Sequence, residues 1–490
     1  MKRFMMLLLL ISALPLYSQQ MEKSPLSVEE SPLWRAGVSL IPYPQEVNLG
    51  GEDFQFGSGV AIILDEGADE SDRFAAGKLA ARLKEDWGIE ANIRRSSSEG
   101  EIILTRQGAP EKVGEQGYQL ETSARRITVR ARGSAGLFYG VQTLLQVIQK
   151  GRLGLYVMGV EIIDWPDIPV RAVHYDTKHF QEKRDYVENF IRTLAGYKIN
   201  MLIWEWEDKF AYKSHPEIGA PGAFTMVEMQ KLTRFARSYH VQIVPLVQGL
   251  GHVSYILKHP QHKHLRELAS SNWQFCPLKE GTYELMFDLY EEAIRATPGS
   301  EYIHIGCDEA FPWDREVGVA CGCKAKVEEI GHYGLKQIFL ERCASYVKKL
   351  GRRAMAWDWP EELKPENKIK PPPGLTLFST SHDRDMVQKG REAGYPVWYY
   401  DLNPGIEHLF LPYFYKFRKG KKVLGCLERS CKLVPTAARL GIFDGMVATS
   451  WNCSGVHNQG WMLRYIVAAE YSWSGKEPAF EEFKVKYFKN

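Results

Sequence analysis

After Pro169 the chain repeats one arrangement: a mostly apolar run of six to nine residues, closed by a polar or aromatic residue. Eight such runs occur: VRAVHYD (170–176), NMLIWEWED (200–208), VQIVPLVQG (241–249), YIHIGCDE (302–309), AMAWDW (354–359), LTLFSTSH (375–382), PVWYYD (396–401) and DGMVATSW (444–451). Between most of them lie stretches with apolar positions three and four apart, such as RDYVENFIRTLAGYK and LKQIFLERCASYVKKLG. The first pattern predicts strands and the second helices. Eight alternating units over about 300 residues predict a (β/α)8 barrel, with its site at the C-terminal strand ends. The barrel is placed at 166–475 and a closing tail helix at 476–490.

The first part of the chain has a different rhythm. AIIL (61–64), EIIL (101–104), YQLETS (118–123) and RITVRA (126–131) read as strands, while SDRFAAGKLAARLKEDWG and AGLFYGVQTLLQVIQ have helical spacing. A small α+β domain is therefore expected over 19–165, with the prolines of GVEIIDWPDIPVR marking a linker or the entry to the barrel. The opening MKRFMMLLLLISALPLYSQQ has a basic start and a short apolar core, which predicts a cleaved secretion signal over 1–18 and a secreted or periplasmic protein. No later segment suggests a membrane span.

Composition narrows the function. Lys+Arg number 62 against 60 Asp+Glu, so no basic excess exists to gather a phosphate backbone, and nucleic acid is not an expected partner. The 13 Trp favour apolar or carbohydrate-facing clefts. The eight Cys are too sparse for a stapled scaffold, and Cys321-Gly-Cys323 without a second pair reads as a loop disulfide or plain thiols; no metal site and no cofactor are expected.

The closing residues carry the candidate chemistry: Asp176, Asp208, Gln248 with His252, Asp308 with Glu309, Asp358, His382, Asp401 and Trp451. In HIGCDE two adjacent carboxylates follow an apolar strand. Paired carboxylates are the usual equipment of glycoside hydrolysis, but adjacent ones crowd one side of the reacting carbon. The arrangement suits a substrate whose own 2-acetamido oxygen attacks. One carboxylate then stays ionised to hold the acetamide N–H, and its neighbour, with a raised pKa, protonates the leaving oxygen.

HxGxDE at the end of the fourth strand resembles the catalytic motif of glycoside hydrolase family 20, the β-N-acetylhexosaminidases. IPYPQEV (41–47) and GLFYGVQTLLQ (136–146) resemble signatures of that family's N-terminal domain, and NMLIWEWEDKFAY, VPLVQGLGH and HIGCDE together look closest to the hexosaminidase D branch. The resemblance implies a retaining exo-β-N-acetylhexosaminidase releasing terminal GlcNAc or GalNAc from a glycan through an oxazolinium intermediate. Residue by residue it implies Glu309 as acid/base, Asp308 as the acetamide-orienting carboxylate, and Asp208 with His252 positioning Glu309. It also implies Arg171, Tyr399 and Asp401 as sugar-binding groups and Trp357, Trp359 and Trp451 as pocket walls.

Some positions depart from that pattern. Cys307 replaces a glycine, WEWEDK puts Glu205, Glu207 and Lys209 in unfamiliar places, and Cys453 stands where many members have a sugar-binding Glu. Rival readings are a non-catalytic carbohydrate-binding barrel, a metal-dependent barrel hydrolase using Asp176, His252, Asp308 and His382, and an enzyme of the same mechanism acting on a disaccharide or sulfated glycan. Oligomeric state is not legible.

Overall fold

A computed structural model describes residues 31–94, 101–310, 323–360, 363–401, 415–418, 421–424, 426–451, 457–476 and 480–489. The expected signal segment, Cys321 and Cys453 lie outside them. All eight anticipated barrel strands form: β1 (Arg171–Asp176), β2 (Met201–Glu205), β3 (Gln242–Leu246), β4 (Tyr302–His304), β5 (Arg353–Met355), β6 (Leu377–Ser379), β7 (Val397–Asp401) and β8 (Gly445–Ala448). They are parallel, β8 returns to β1, and a bridge from Met355 to Thr376 joins β5 to β6, closing the barrel. Most strands stop earlier than their apolar runs do, because the last residues of each run turn into the loop that carries the site.

Period-two alternation divides each strand between two cores. Ala172, Met201, Ile203, Val244, Leu246, Tyr302, Met355, Phe378, Trp398 and Val447 fill the barrel interior, while Val173, Leu202, Ile243, Ile303 and Val397 face the surrounding helices. Local chemistry starts those helices. Thr225 accepts from the Glu228 N–H, and Glu228 returns the bond to the Thr225 N–H, a capping box opening Met226–Ser238.

The N-terminal unit is a seven-stranded mixed sheet packed by Glu70–Trp87 and Ser134–Val147. The sequence missed three of its strands, Glu46–Leu49, Glu90–Arg94 and Val160–Asp164. The last belongs to the segment taken as a linker, and pairs with both Glu46–Leu49 and Tyr118–Ser123. A buried polar knot ties this sheet to the barrel: Asp164 accepts from Tyr118, Lys198 and Trp473 at 2.6–2.9 Å. Phe480–Lys489 is helical and returns to the start of the described chain, where Ser31 bonds Glu482. No helix among the described residues is long and apolar enough to cross a membrane.

Candidate active site

Backbone strain marks the site. Of seven non-glycine residues with positive φ among the described residues, five sit just beyond the ends of β2, β3 and β4: Glu207, Leu250, His252, Cys307 and Glu309. Such conformations cost of order 1–3 kcal/mol each and persist where surrounding structure over-determines them. Gly306 (φ +74°) lets the chain turn directly after β4, since a Cβ there would lie 2.3 Å from Gln248 Oε1. A Cβ on Gly251 would approach the Asp308 carbonyl to 2.6 Å, so GLGH lies flat against the Asp-Glu turn.

That contact brings His252 to both carboxylates: its Nε2 lies 3.4 Å from Asp308 Oδ2 and 3.2 Å from Glu309 Oε2. The two acids differ in setting. The Asp308 side chain is 16% exposed and that of Glu309 57%. Burial pushes the Asp308 pKa up, His252 opposes this, and Glu205 adds to it. Burial thus falls more heavily on Asp308 than on Glu309, the acid the sequence predicts to have the raised pKa.

Beside this pair lies a network built by the inward positions of β1 and β2. His174 Nε2 is 2.8 Å from Glu205 Oε2, Gln248 Nε2 donates to Glu205 Oε1 at 2.7 Å, and Lys178 Nζ bridges Asp176 (3.0 Å) and Glu205 (3.1 Å). Burial alone would raise Glu205, but Lys178 and His174 outweigh it and hold the carboxyl well below its ordinary range. Glu207 is pushed the other way, first by burial and then by Glu205. The aromatic wall is continuous: the Trp357 ring centroid is 4.4 Å from His304, 5.3 Å from Tyr400 and 5.5 Å from Trp451, and Trp359 stands 5.5 Å from Tyr400.

Asp308, Glu309, His252, Trp357, Trp359 and Trp451 are thus gathered at one end of the barrel. Four anticipated site residues do not join this group, although Asp208 and Asp401 lie at the same end. Arg171 opens β1 at the opposite end, faces outward and is fully buried; it donates to the carbonyls of Lys198, Ile168 and Pro169 and to Gln116 Oε1. Asp208 lies on a short turn past β2, where its carboxylate meets Lys209 and, at 3.4 Å, Lys258 rather than His252. Tyr399 and Asp401 fall on the outer face of β7: Tyr399 packs on His382 and Phe443, and Asp401 is held by Ser430 and Arg464. The register pairs Tyr400, not Tyr399, with the inward Val447, so Tyr400 is the β7 residue at the site.

Residues the sequence reading left without a role are His174, Lys178, Glu205, Tyr400 and Trp273, whose ring lies 4.2 Å from His252 and whose Nε1 donates to the Glu309 carbonyl. Strand alternation counted from Ala172 and Met201 would have found the first, third and, from Trp398, the fourth. The metal-hydrolase rival loses its ligand set, because His382 Nε2 is bonded to the Leu433 carbonyl outside the barrel and Asp176 is paired with Lys178.

A closed (β/α)8 barrel with two adjacent carboxylates and an imidazole at its C-terminal rim, preceded by a small mixed sheet, defines the class. Residues 37–165 match the description "Glycosyl hydrolase family 20, domain 2", and residues 169–399 match "Glycosyl hydrolase family 20, catalytic domain". The chain belongs to glycosyl hydrolase family 20. It is similar to a beta-hexosaminidase of Porphyromonas gingivalis (25% identity over 67% of this chain and 46% of that protein) and to hexosaminidase D of Bos taurus (30% over 29% and 41%). It spans less than half the length of both relatives. Its fold matches the solved family 20 β-N-acetylhexosaminidase of Streptomyces coelicolor with a TM-score of 0.72, at 23% identity, over 94% of this chain and 95% of that one.

Proposed function

We propose that this chain is a retaining exo-β-N-acetylhexosaminidase that releases terminal β-linked GlcNAc or GalNAc from glycans by substrate-assisted catalysis, acting in the periplasm or outside the cell. The observation carrying the reading is the pair Asp308 and Glu309 on either side of one imidazole, one carboxylate shielded and the other reaching solvent. The substrate's acetamide oxygen attacks C1, the glycosidic C1–O bond breaks, and Glu309 gives its proton to the departing oxygen. Asp308 accepts from the acetamide N–H and offsets the charge of the oxazolinium ring. Water then loses a proton to Glu309 and attacks C1, which opens the ring with net retention. The cost of ionising Asp308 in its shielded place falls when that N–H and His252 face it. Trp357, Trp359, Tyr400 and Trp451 would wall the sugar and exclude water.

The test is hydrolysis of aryl β-GlcNAc and β-GalNAc glycosides by wild type and Glu309→Gln, with a thiazoline mimic of the cyclised intermediate as inhibitor. The expected results are turnover blocked by the thiazoline and a kcat fall of about 10²–10⁴ in the variant. No turnover on either glycoside together with no thiazoline binding would remove the proposal.

A further inference from the structure

One cluster of chemistry-bearing side chains takes no part in the proposed hydrolysis. Glu267, Cys276 and Cys323 are 2%, 0% and 0% exposed. Cys276 Sγ is 3.5 Å from Cys323 Sγ, Cys323 Sγ is 3.4 Å from Glu267 Oε2, and one donor atom from each of the three lies within 4.8 Å of the others. The first two residues come from the loop after β3, folded back on itself by the Arg266–Phe275 bridge, the Glu267 N–H to Gln274 carbonyl bond (3.0 Å) and the Cys276 N–H to Leu265 carbonyl bond (2.8 Å). The third starts the helix Cys323–Lys349 after β4.

Two thiols and a carboxylate gathered out of water are a donor set that structural zinc sites use. A tetrahedral zinc ion with Zn–S near 2.3 Å and Zn–O near 2.1 Å would set its sulfurs about 3.8 Å apart and sulfur from oxygen about 3.6 Å. The 3.5 Å between Cys276 and Cys323 and the 3.4 Å from Cys323 to Glu267 agree with these within a few tenths of an ångström, whereas a disulfide requires about 2.05 Å. Sulfur donors select zinc-like ions over calcium or magnesium. A second group, His215, Glu217 and His262, is weaker: His262 Nε2 already lies 2.6 Å from Glu217, and His215 is drawn to Asp288.

We propose that Glu267, Cys276 and Cys323 bind a zinc-class divalent cation at a structural site. The ion ties the loop carrying His252 and Trp273 to the helix Cys323–Lys349, and so fixes the imidazole against the two carboxylates. The assignment is independent of the hexosaminidase reading and replaces the sequence expectation of a metal-free chain whose CGC held a loop disulfide or plain thiols.

The test uses the full chain, purified without chelators under mild reductant, with metal content measured by mass spectrometry and cobalt(II) as a spectroscopic probe after dialysis to the apo form. The expected results are about one equivalent of zinc per chain, a thiolate-to-cobalt charge-transfer band with tetrahedral d–d bands, and a higher melting temperature with zinc. Cys276→Ser should abolish the charge-transfer intensity contributed by that thiolate. Should that variant fail to fold, Glu267→Gln keeps both thiols and the side-chain shape, and zinc affinity is expected to fall roughly tenfold or more. Zinc binding at less than one equivalent after saturation, affinity unchanged in Glu267→Gln, or a metal-free protein whose intact mass shows Cys276 and Cys323 joined as a disulfide would each overturn the proposal.

Discussion

Arg171→Ala separates two roles for one residue, sugar ligand or joint between domains. The guanidinium donates four bonds at 2.8–3.0 Å in a fully buried place, to three carbonyls and Gln116, and lies over the rings of Tyr139 and Trp473. Burial pushes its pKa down to about 10, so it remains charged at neutral pH. Bonds to a charged donor are worth about 1.5–3 kcal/mol each, but they share one group and its desolvation is regained on removal. Stranding buried acceptors at about 1–3 kcal/mol each, less the desolvation regained, should cost about 3–5 kcal/mol in all. At roughly 2.1 cal/mol/K per residue, 490 residues melting as one unit carry about 1 kcal/mol/K, so the melting temperature should fall by roughly 3–5 °C. The assay is thermal denaturation beside steady-state kinetics on an aryl glycoside well below the transition, where KM should stay within about twofold. An unchanged melting temperature with KM raised tenfold or more would refute the structural role and restore the sugar ligand.

Three further outcomes are expected. Tyr400→Ala should lower kcat/KM at least about tenfold, some 1.4 kcal/mol, while Tyr399→Ala leaves it within about threefold and lowers the melting temperature instead; the reverse ranking would mean the inward face of β7 is misassigned. Burial raises the Asp308 pKa and His252 opposes it, so His252→Ala should leave the carboxylate protonated to higher pH and move the acid limb of kcat/KM upward; a limb that stays or moves down contradicts the pairing. Glu205, held low against burial by Lys178 and His174, contributes stability that is present above the ordinary carboxylate value of about 4.3 and lost as pH falls below it. Lys178→Met should therefore shift acid unfolding, followed by circular dichroism, to higher pH, and an unmoved midpoint would show that the Lys178–Glu205 bond (3.1 Å) does not set that carboxylate.

The barrel was legible because its strands are buried on both sides and read as continuous apolar runs, bounded by helical periodicity. For the same reason a run such as VWYYD does not show which residues face inward, since both faces are apolar. Trp398 and Tyr400 turn to the interior and Tyr399 and Asp401 away from it only because neighbouring strands set the register. The polar strands of the N-terminal sheet were missed on similar grounds: EANIR at an edge has little apolar signal, and VEIID earns its place from two partners distant in sequence.

By itself the sequence determined the eightfold alternation, the order of the two units, and the carboxylate pair with its histidine and tryptophans, because these depend on residue type and local spacing. Only the tertiary structure decided the direction of each side chain and the charge around it. It sent Arg171 to the far end of the barrel, gave Asp208 to lysines, buried Asp308 more than Glu309, and drew Glu267, Cys276 and Cys323 together across 56 residues. Facing, burial and pairing are properties of neighbours that meet on folding, and a linear order of residues does not contain them.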